Sequence, residues 1–286
     1  MNHFSNKLCI KINKDHLNKF KTMNIPINHK TIFLFDHCTY FASSSNTRVD
    51  IDVASLKNKP HPSAQAQRLE PLNKTLWTCS LEAAIEYARI VYDLFPDSKL
   101  IRMIVTKFDC ALNSWNLNDQ GLDHLMNIMG NVMPPLPQNR QLFEGEEFIN
   151  LCKSLNIAVN SIAQTSELQQ ALSVQAEARQ AGQGRSVPNS GRIVLFSSAS
   201  NRNIEQVQEF LAKAIEECNK NIEQLMRSEQ MPPSCLRINK IELVFVDVVP
   251  CDYGLLYEKE IVKQVGCVLL MKKIGFLDAV KHFVFN

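Results

Sequence analysis

The residues best placed to do chemistry follow a short apolar run. Ile32, Phe33, Leu34 and Phe35 lead directly into Asp36, His37, Cys38, Thr39 and Tyr40. An aspartate followed at alternate positions by two serines is one way to offer Mg²⁺ a carboxylate and two hydroxyls from a single loop. Here the aspartate is kept, but a thiol and a phenol, Cys38 and Tyr40, stand at the two hydroxyl positions. Mg²⁺ requires hard oxygen donors in a near-octahedral array at about 2.0–2.1 Å, and neither soft sulfur nor a bulky phenol suits it. Asp36, Cys38 and Tyr40 therefore read as the degenerate remnant of a metal site, with no metal, cofactor or catalytic residue assigned. Asp36 is left the role of capping backbone amides at the end of its strand.

Other chemistries find less support. A thiolate at Cys38 activated by His37 fails on geometry, because adjacent side chains on extended backbone point to opposite sides. The seven histidines show neither H-E-x-x-H nor finger-like spacing with cysteine, so zinc coordination is not indicated. No phosphate-cradling glycine loop follows any apolar run, and Gly182-Gln183-Gly184 precedes one instead. Ser197, Ser198 and Ser200 lack the flanking glycines of a nucleophile elbow and read as a turn.

Four short apolar runs must position Asp36: Ile32 to Phe35, Ile101 to Val105 (broken by Arg102), Ile193 to Phe196 and Leu243 to Val246. Continuous runs, unlike alternating ones, imply strands covered on both faces. Helical spacing of apolar residues from Trp77 to Phe95, closed by Pro96, predicts one crossover helix. Asn203 with Gln206 opens a second, whose stripe runs Ile204, Val207, Leu211, Ala214, Ile215, Cys218, Ile222, Leu225. Leu122 to Val132, Phe148 to Ile162 and the more polar Glu167 to Arg179 read as further helices. Residues 181–191 read as a flexible loop. The alternation predicts an α/β, doubly wound, mainly parallel sheet with helices on both faces. Ligand sites in such folds lie at the carboxyl ends of the strands, here Asp36 to Tyr40, Thr106 to Asp109, Ser197 to Ser200, and Asp247. Trp77 falls on a buried stripe, whereas Trp115 sits among polar neighbours, where core and interface roles are evenly matched.

A net charge of +2 with 21% charged residues gives no global field to attract nucleic acid, and no direct nucleic-acid site is evident. Nine scattered cysteines without a C-x-x-C pair imply free thiols in a reducing compartment. Val265 to Met271 is far shorter than the roughly 20 residues of a membrane helix, so no membrane association is predicted. Residues 1–28 carry five lysines against one aspartate and read as a basic, disordered arm.

Three runs carry a family resemblance: Lys30-Thr31-Ile32-Phe33-Leu34-Phe35-Asp36-His37-Cys38, Lys74-Thr75-Leu76-Trp77-Thr78-Cys79-Ser80, and Glu86-Tyr87 through Asp93-Leu94-Phe95-Pro96. With Leu112-Asn113-Ser114-Trp115, Gly191-Arg192-Ile193-Val194 and Glu242-Leu243-Val244, they resemble the Asunder family, that of Integrator complex subunit 13. The resemblance implies a von Willebrand A-like domain over residues 29–250 with a degenerate metal site. Beyond Pro250 the family pattern is lost, and residues 251–286 read as a divergent tail, cut short relative to the family.

What the resemblance implies about function is a scaffold without enzymatic activity in the Integrator complex, which processes small nuclear RNA 3′ ends and attenuates transcription. It implies pairing with Integrator subunits 14 and 10, and links to dynein positioning, mitosis and meiosis. The implied localisation is the nucleus, with a cytoplasmic or perinuclear pool. The alternative is an adhesion-type module that binds a partner through a metal ion at Asp36.

Overall fold

A computed structural model of the chain describes residues 29–49, 72–96, 98–137, 144–179, 187–199, 202–227, 235–250, 262–266 and 268–275. The expected basic arm, residues 1–28, lies outside them, as do residues 251–261 and 276–286 of the expected tail.

Each of the four apolar runs forms a buried strand: β1 (Lys30–Phe35), β4 (Leu100–Val105), β5 (Ser190–Ser197) and β6 (Lys240–Asp247). All four are parallel, with β1 between β4 and β5, and β6 beyond β5. Ile32 and Leu34 join one core with the helices α3 (Glu144–Ala163) and α5 (Ile204–Arg227). Phe33 and Phe35 join a second core with α1 (Leu76–Leu94) and α2 (Leu122–Gly130) on the other side. Alternate side chains of one strand thus feed two apolar layers, which is why its run is continuous. α4 (Glu167–Arg179) completes the helices among the described residues. The result is the α/β architecture expected, with a mainly parallel sheet and helices on both faces.

The sheet does not stop at residue 250. β8 (Val268–Gly275) pairs parallel with β6, and β7 (Val262–Val265) pairs antiparallel with β8 at the edge. The order is β4-β1-β5-β6-β8-β7, so part of the expected tail is structural. A separate hairpin, β2 (Ser44–Val49) with β3 (Leu72–Thr75), also escaped the sequence reading because its strands are polar. β3 runs straight into α1, where Thr75 Oγ1 accepts from the Thr78 amide at 3.2 Å. Ser190 and Gly191, expected to be loop, open β5. Gly191 allows close approach of helix to strand, since a Cβ there would lie 3.0 Å from Ile162 Cδ1 and 3.2 Å from the Lys30 carbonyl oxygen. On α5 Val207, Leu211, Ala214, Ile215 and Ile222 of the stripe are buried, Ile204 and Cys218 are half-buried, and Leu225 at its end is exposed.

Burial also takes in polar residues that fasten the lower end of the sheet. Lys30 is fully buried, and its Nζ donates to the carbonyls of Ile162 (2.8 Å) and Gln164 (2.5 Å) and to Asn189 Oδ1 (3.0 Å). Three acceptors match the three N–H bonds of an ammonium group. Beside it, His29 Nδ1 donates to the Ser98 carbonyl and Nε2 pairs with Ser166 Oγ at 2.8 Å. Burial lowers the His29 pKa to about 4.

Candidate functional site

From β1 the chain goes on to β4 on one side, and from β4 it crosses back to β5 on the other, so the topological switch point falls at the carboxyl end of β1. Asp36 sits there, held by its amide to the Phe196 carbonyl at 3.0 Å. The neighbouring strands deliver Thr106, Ser197 and Asp247 to the same rim. Thr106 Oγ1 accepts from the His37 amide at 2.8 Å, and Asp247 Oδ1 accepts from the Ala199 amide at 2.7 Å. Asp109 is exposed on the turn after β4, and Ser200 lies outside the described residues.

Asp36 is 2% exposed, and its carboxylate does not cap backbone amides as expected. Oδ2 accepts from Ser197 Oγ at 2.7 Å and from Arg202 Nε at 3.0 Å, while Oδ1 accepts from Arg202 Nη2 at 3.3 Å. The same Nη2 donates to Glu147 Oε2, also at 3.3 Å. Arg202, whose side chain is 3% exposed, thus lies between two carboxylates from β1 and α3. Burial is the largest influence and works against its charge, but attraction to Asp36 and the hydrogen bonds to Asp36 and Glu147 together raise its pKa. A planar guanidinium suits this role because it offers a fixed fork to a carboxylate and is weakly hydrated.

Cys38 is buried, and its thiol pKa is pushed up to about 12 by burial first and by the charges of Asp36 and Glu147 next. It is a packed thiol that stays protonated, which rules against a nucleophilic role. His37 turns away from it: the ring stands edge-on to Trp77 with centroids 5.0 Å apart, and Nε2 donates to the Met133 carbonyl at 2.8 Å. Tyr40 lies in a short 3₁₀ turn (Thr39–Ala42), and its hydroxyl donates to the Val248 carbonyl at 3.0 Å beyond β6. The phenol therefore bridges the first loop to the exit of β6. Trp115 is 4% exposed, so of the two roles left open it takes the core one. Its Nε1 donates to the Ser161 carbonyl at 2.7 Å, and the Arg102 guanidinium lies 4.3 Å from its ring.

The donor set fits a hard divalent cation poorly. Cys38 is protonated, the Tyr40 hydroxyl is committed to Val248, Thr106 Oγ1 to a backbone amide, and Ser197 Oγ to Asp36. The position facing Asp36 and Ser197 already carries the positive charge of Arg202. Among the described residues no group of three or more His, Cys, Asp or Glu is arranged to hold a metal ion. Arg202 and Glu147 were not singled out from the sequence. One signal was present: Arg202 is the only basic residue between Ser197 and Asn203, in a loop that the topology brings to a buried aspartate.

The upper rim also presents apolar surface beside this network. Met133, whose carbonyl binds His37, is 67% exposed, Leu136 is 72% exposed, and Met126 is exposed on α2. The outer edge of the sheet is closed at β4. Asn113 Oδ1 accepts from the Met103 amide and Asn113 Nδ2 donates to the Ile101 carbonyl, both at 2.9 Å, while Gln120 Oε1 accepts from the Ile101 amide at 2.7 Å. Side-chain amides thus stand in for a neighbouring strand. No helix among the described residues is long and apolar enough to cross a membrane.

Comparison with known proteins places this geometry. Residues 25–272 match the family described as cell cycle and development regulator Mat89Bb. The match runs past Pro250, so the expected loss of the family pattern there is corrected. Integrator complex subunit 13 of Mus musculus and that of Homo sapiens are each 32% identical over 247 residues, 85% of this chain. Protein asunder of Drosophila persimilis is 30% identical over 226 residues, 78% of this chain and 31% of its own length. The chain spans about a third of the length of these curated relatives, 31% and 32% for the two mammalian proteins. The chain belongs to the Mat89Bb family of cell cycle and development regulators, the family of Integrator complex subunit 13 and protein asunder.

Proposed function

We propose that this chain acts without catalysis, as a protein-binding scaffold of the Integrator complex that supports small nuclear RNA 3′-end processing and transcription attenuation. The observation that carries it is identity of 32% to Integrator complex subunit 13 across 85% of the chain. The site chemistry agrees, since the Cys38 thiol beside Asp36 is buried and protonated. Its direct partners would be Integrator subunits 14 and 10, and its main location the nucleus. A cytoplasmic or perinuclear pool, with links to dynein positioning and cell-cycle progression, belongs to the same proposal.

Surfaces offered for docking include the outer helices and the upper rim, whereas the β4 edge is closed to strand addition. Met133 and Leu136 supply exposed apolar area at the rim. Along α5, Lys213, Glu216, Lys220 and Glu223 line a groove of about 600 Å³ with Arg237, a surface of mixed charge. Mixed charge at a groove favours partner selectivity over raw affinity.

The test is capture from nuclear extract with the tagged chain, followed by binding to purified Integrator subunits 14 and 10. Recovery of these subunits, reduced by paired charge reversal at Lys213 and Lys220 or by Met133→Asp with Leu136→Asp, supports the proposal. Absence of every Integrator subunit from the capture, with the purified subunits also failing to bind, overturns it.

A further inference from the structure

We infer that the Arg202 guanidinium is the resident cation of the Asp36 rim, excluding divalent metal while it is present and uncovering a divalent-cation site when it is removed. The inference goes beyond the scaffold proposal and does not depend on which partners bind.

Two independent features carry it. First, the guanidinium contacts both oxygens of Asp36, at 3.0 and 3.3 Å, and reaches Glu147 at 3.3 Å. Any metal at about 2.0–2.1 Å from Asp36 on this side would lie within the space of those nitrogens and against their fixed positive charge. Guanidinium and metal are therefore mutually exclusive. Second, the groups around Arg202 are hard oxygens: the Asp36 carboxylate, Ser197 Oγ at 2.7 Å from it, and Glu147. Their two negative charges are drawn to one place by a buried positive one, with the Arg202 and Asp36 side chains 3% and 2% exposed. Remove that charge and two carboxylates and a hydroxyl face a gap, the ligand chemistry that hard divalent ions take.

A tethered cation also differs in kind from a bound one. An ion stabilises its site in proportion to its free concentration, whereas a side chain is present at every concentration. The rim of this protein is thus set once, on folding, and does not respond to Mg²⁺ or Ca²⁺ levels. Because the guanidinium is buried, it does not offer its charge to a partner's carboxylate either, so recognition falls to the apolar and charged surfaces around it.

Thermal unfolding of the whole chain in EDTA, Mg²⁺ and Mn²⁺ tests the inference. Wild type is expected to unfold at the same temperature in all three. Arg202→Ala is expected to unfold lower in EDTA and to recover saturably with Mn²⁺ or Mg²⁺, and Asp36→Asn added to it abolishes the recovery. Arg202→Lys keeps the charge and is expected to stay indifferent to metal, which preserves the test if Arg202→Ala does not fold. A saturable, Asp36-dependent rise in wild type overturns the inference. So does a folded Arg202→Ala that is as stable as wild type in EDTA, or that ignores both metals.

Discussion

Asn113 offers the sharpest test of how this sheet is closed at its β4 edge. The side chain is 9% exposed, and its amide satisfies two main-chain groups of β4, the Met103 N–H and the Ile101 C=O, each at 2.9 Å. Both residues are fully buried. In Asn113→Ala both groups lose their partner without regaining bulk water. Each buried unsatisfied polar group costs about 1–3 kcal/mol, so with partial rescue by a water molecule the pair amounts to about 3 kcal/mol. For a domain of this size 1 kcal/mol shifts Tm by about 2–4 °C, which sets the expected drop at about 6–12 °C. Asn113→Asp separates the two bonds: it keeps an acceptor for Met103 N–H but turns a carboxylate oxygen toward the Ile101 carbonyl, and it should fall by a similar amount. The uncovered edge should also pair with a second copy, visible as a dimer by light scattering after size exclusion. An Asn113→Ala protein that stays monomeric and melts within about 2 °C of wild type would show that this amide does not guard the edge.

Four further outcomes follow from the same geometry. Asp36→Asn strips the buried Arg202 of its closest charge and should cost about 3–5 kcal/mol by urea unfolding, with Asp36→Asn/Arg202→Met recovering part of the loss; additive losses would show the two groups uncoupled. The His29 pKa is about 4 in the fold and about 6.5 unfolded, so the unfolded chain takes up the proton first. The stability this contributes is complete above pH 6.5 and is lost as pH falls toward 4, at about 1.4 kcal/mol per pH unit; His29→Gln should flatten the urea midpoint between pH 6.5 and 5. Alkylation at pH 7.5 followed by mass spectrometry should label exposed Cys110 and spare Cys38, whose thiol is buried and pushed up to about 12; equal labelling contradicts that burial. Trp115→Phe deletes the donor to the Ser161 carbonyl and should lower stability by about 1–3 kcal/mol while leaving subunit binding unchanged, a result that weaker binding at equal stability would reverse.

Several of these groups were hard to see in advance for one common reason. The setting Leu112-Asn113-Ser114-Trp115-Asn116 reads as surface because it is polar. Its polar groups instead serve the backbone: Asn113 binds β4, and Ser114 Oγ donates to Asp119 Oδ2 at 2.5 Å. Polarity that satisfies a strand edge is indistinguishable, along the chain, from polarity that meets water. The β2–β3 pair escaped for a related reason, as Ser44–Val49 and Leu72–Thr75 carry no apolar alternation and pair across a long intervening segment.

What local order could express was written in the amino acids themselves. Burial on both faces makes a strand apolar at nearly every position, and burial on one side makes a helix's apolar residues repeat about every 3.6 residues, so the parallel strands, the crossover helices and the place of Asp36 at the switch point were legible. The partner of Asp36 was not. Arg202 lies 166 residues away along the chain, and no periodicity ties the two together. Only the folded arrangement of β1, β5 and α3 brings a guanidinium onto two carboxylates, because a buried charge must find its counter-charge through space.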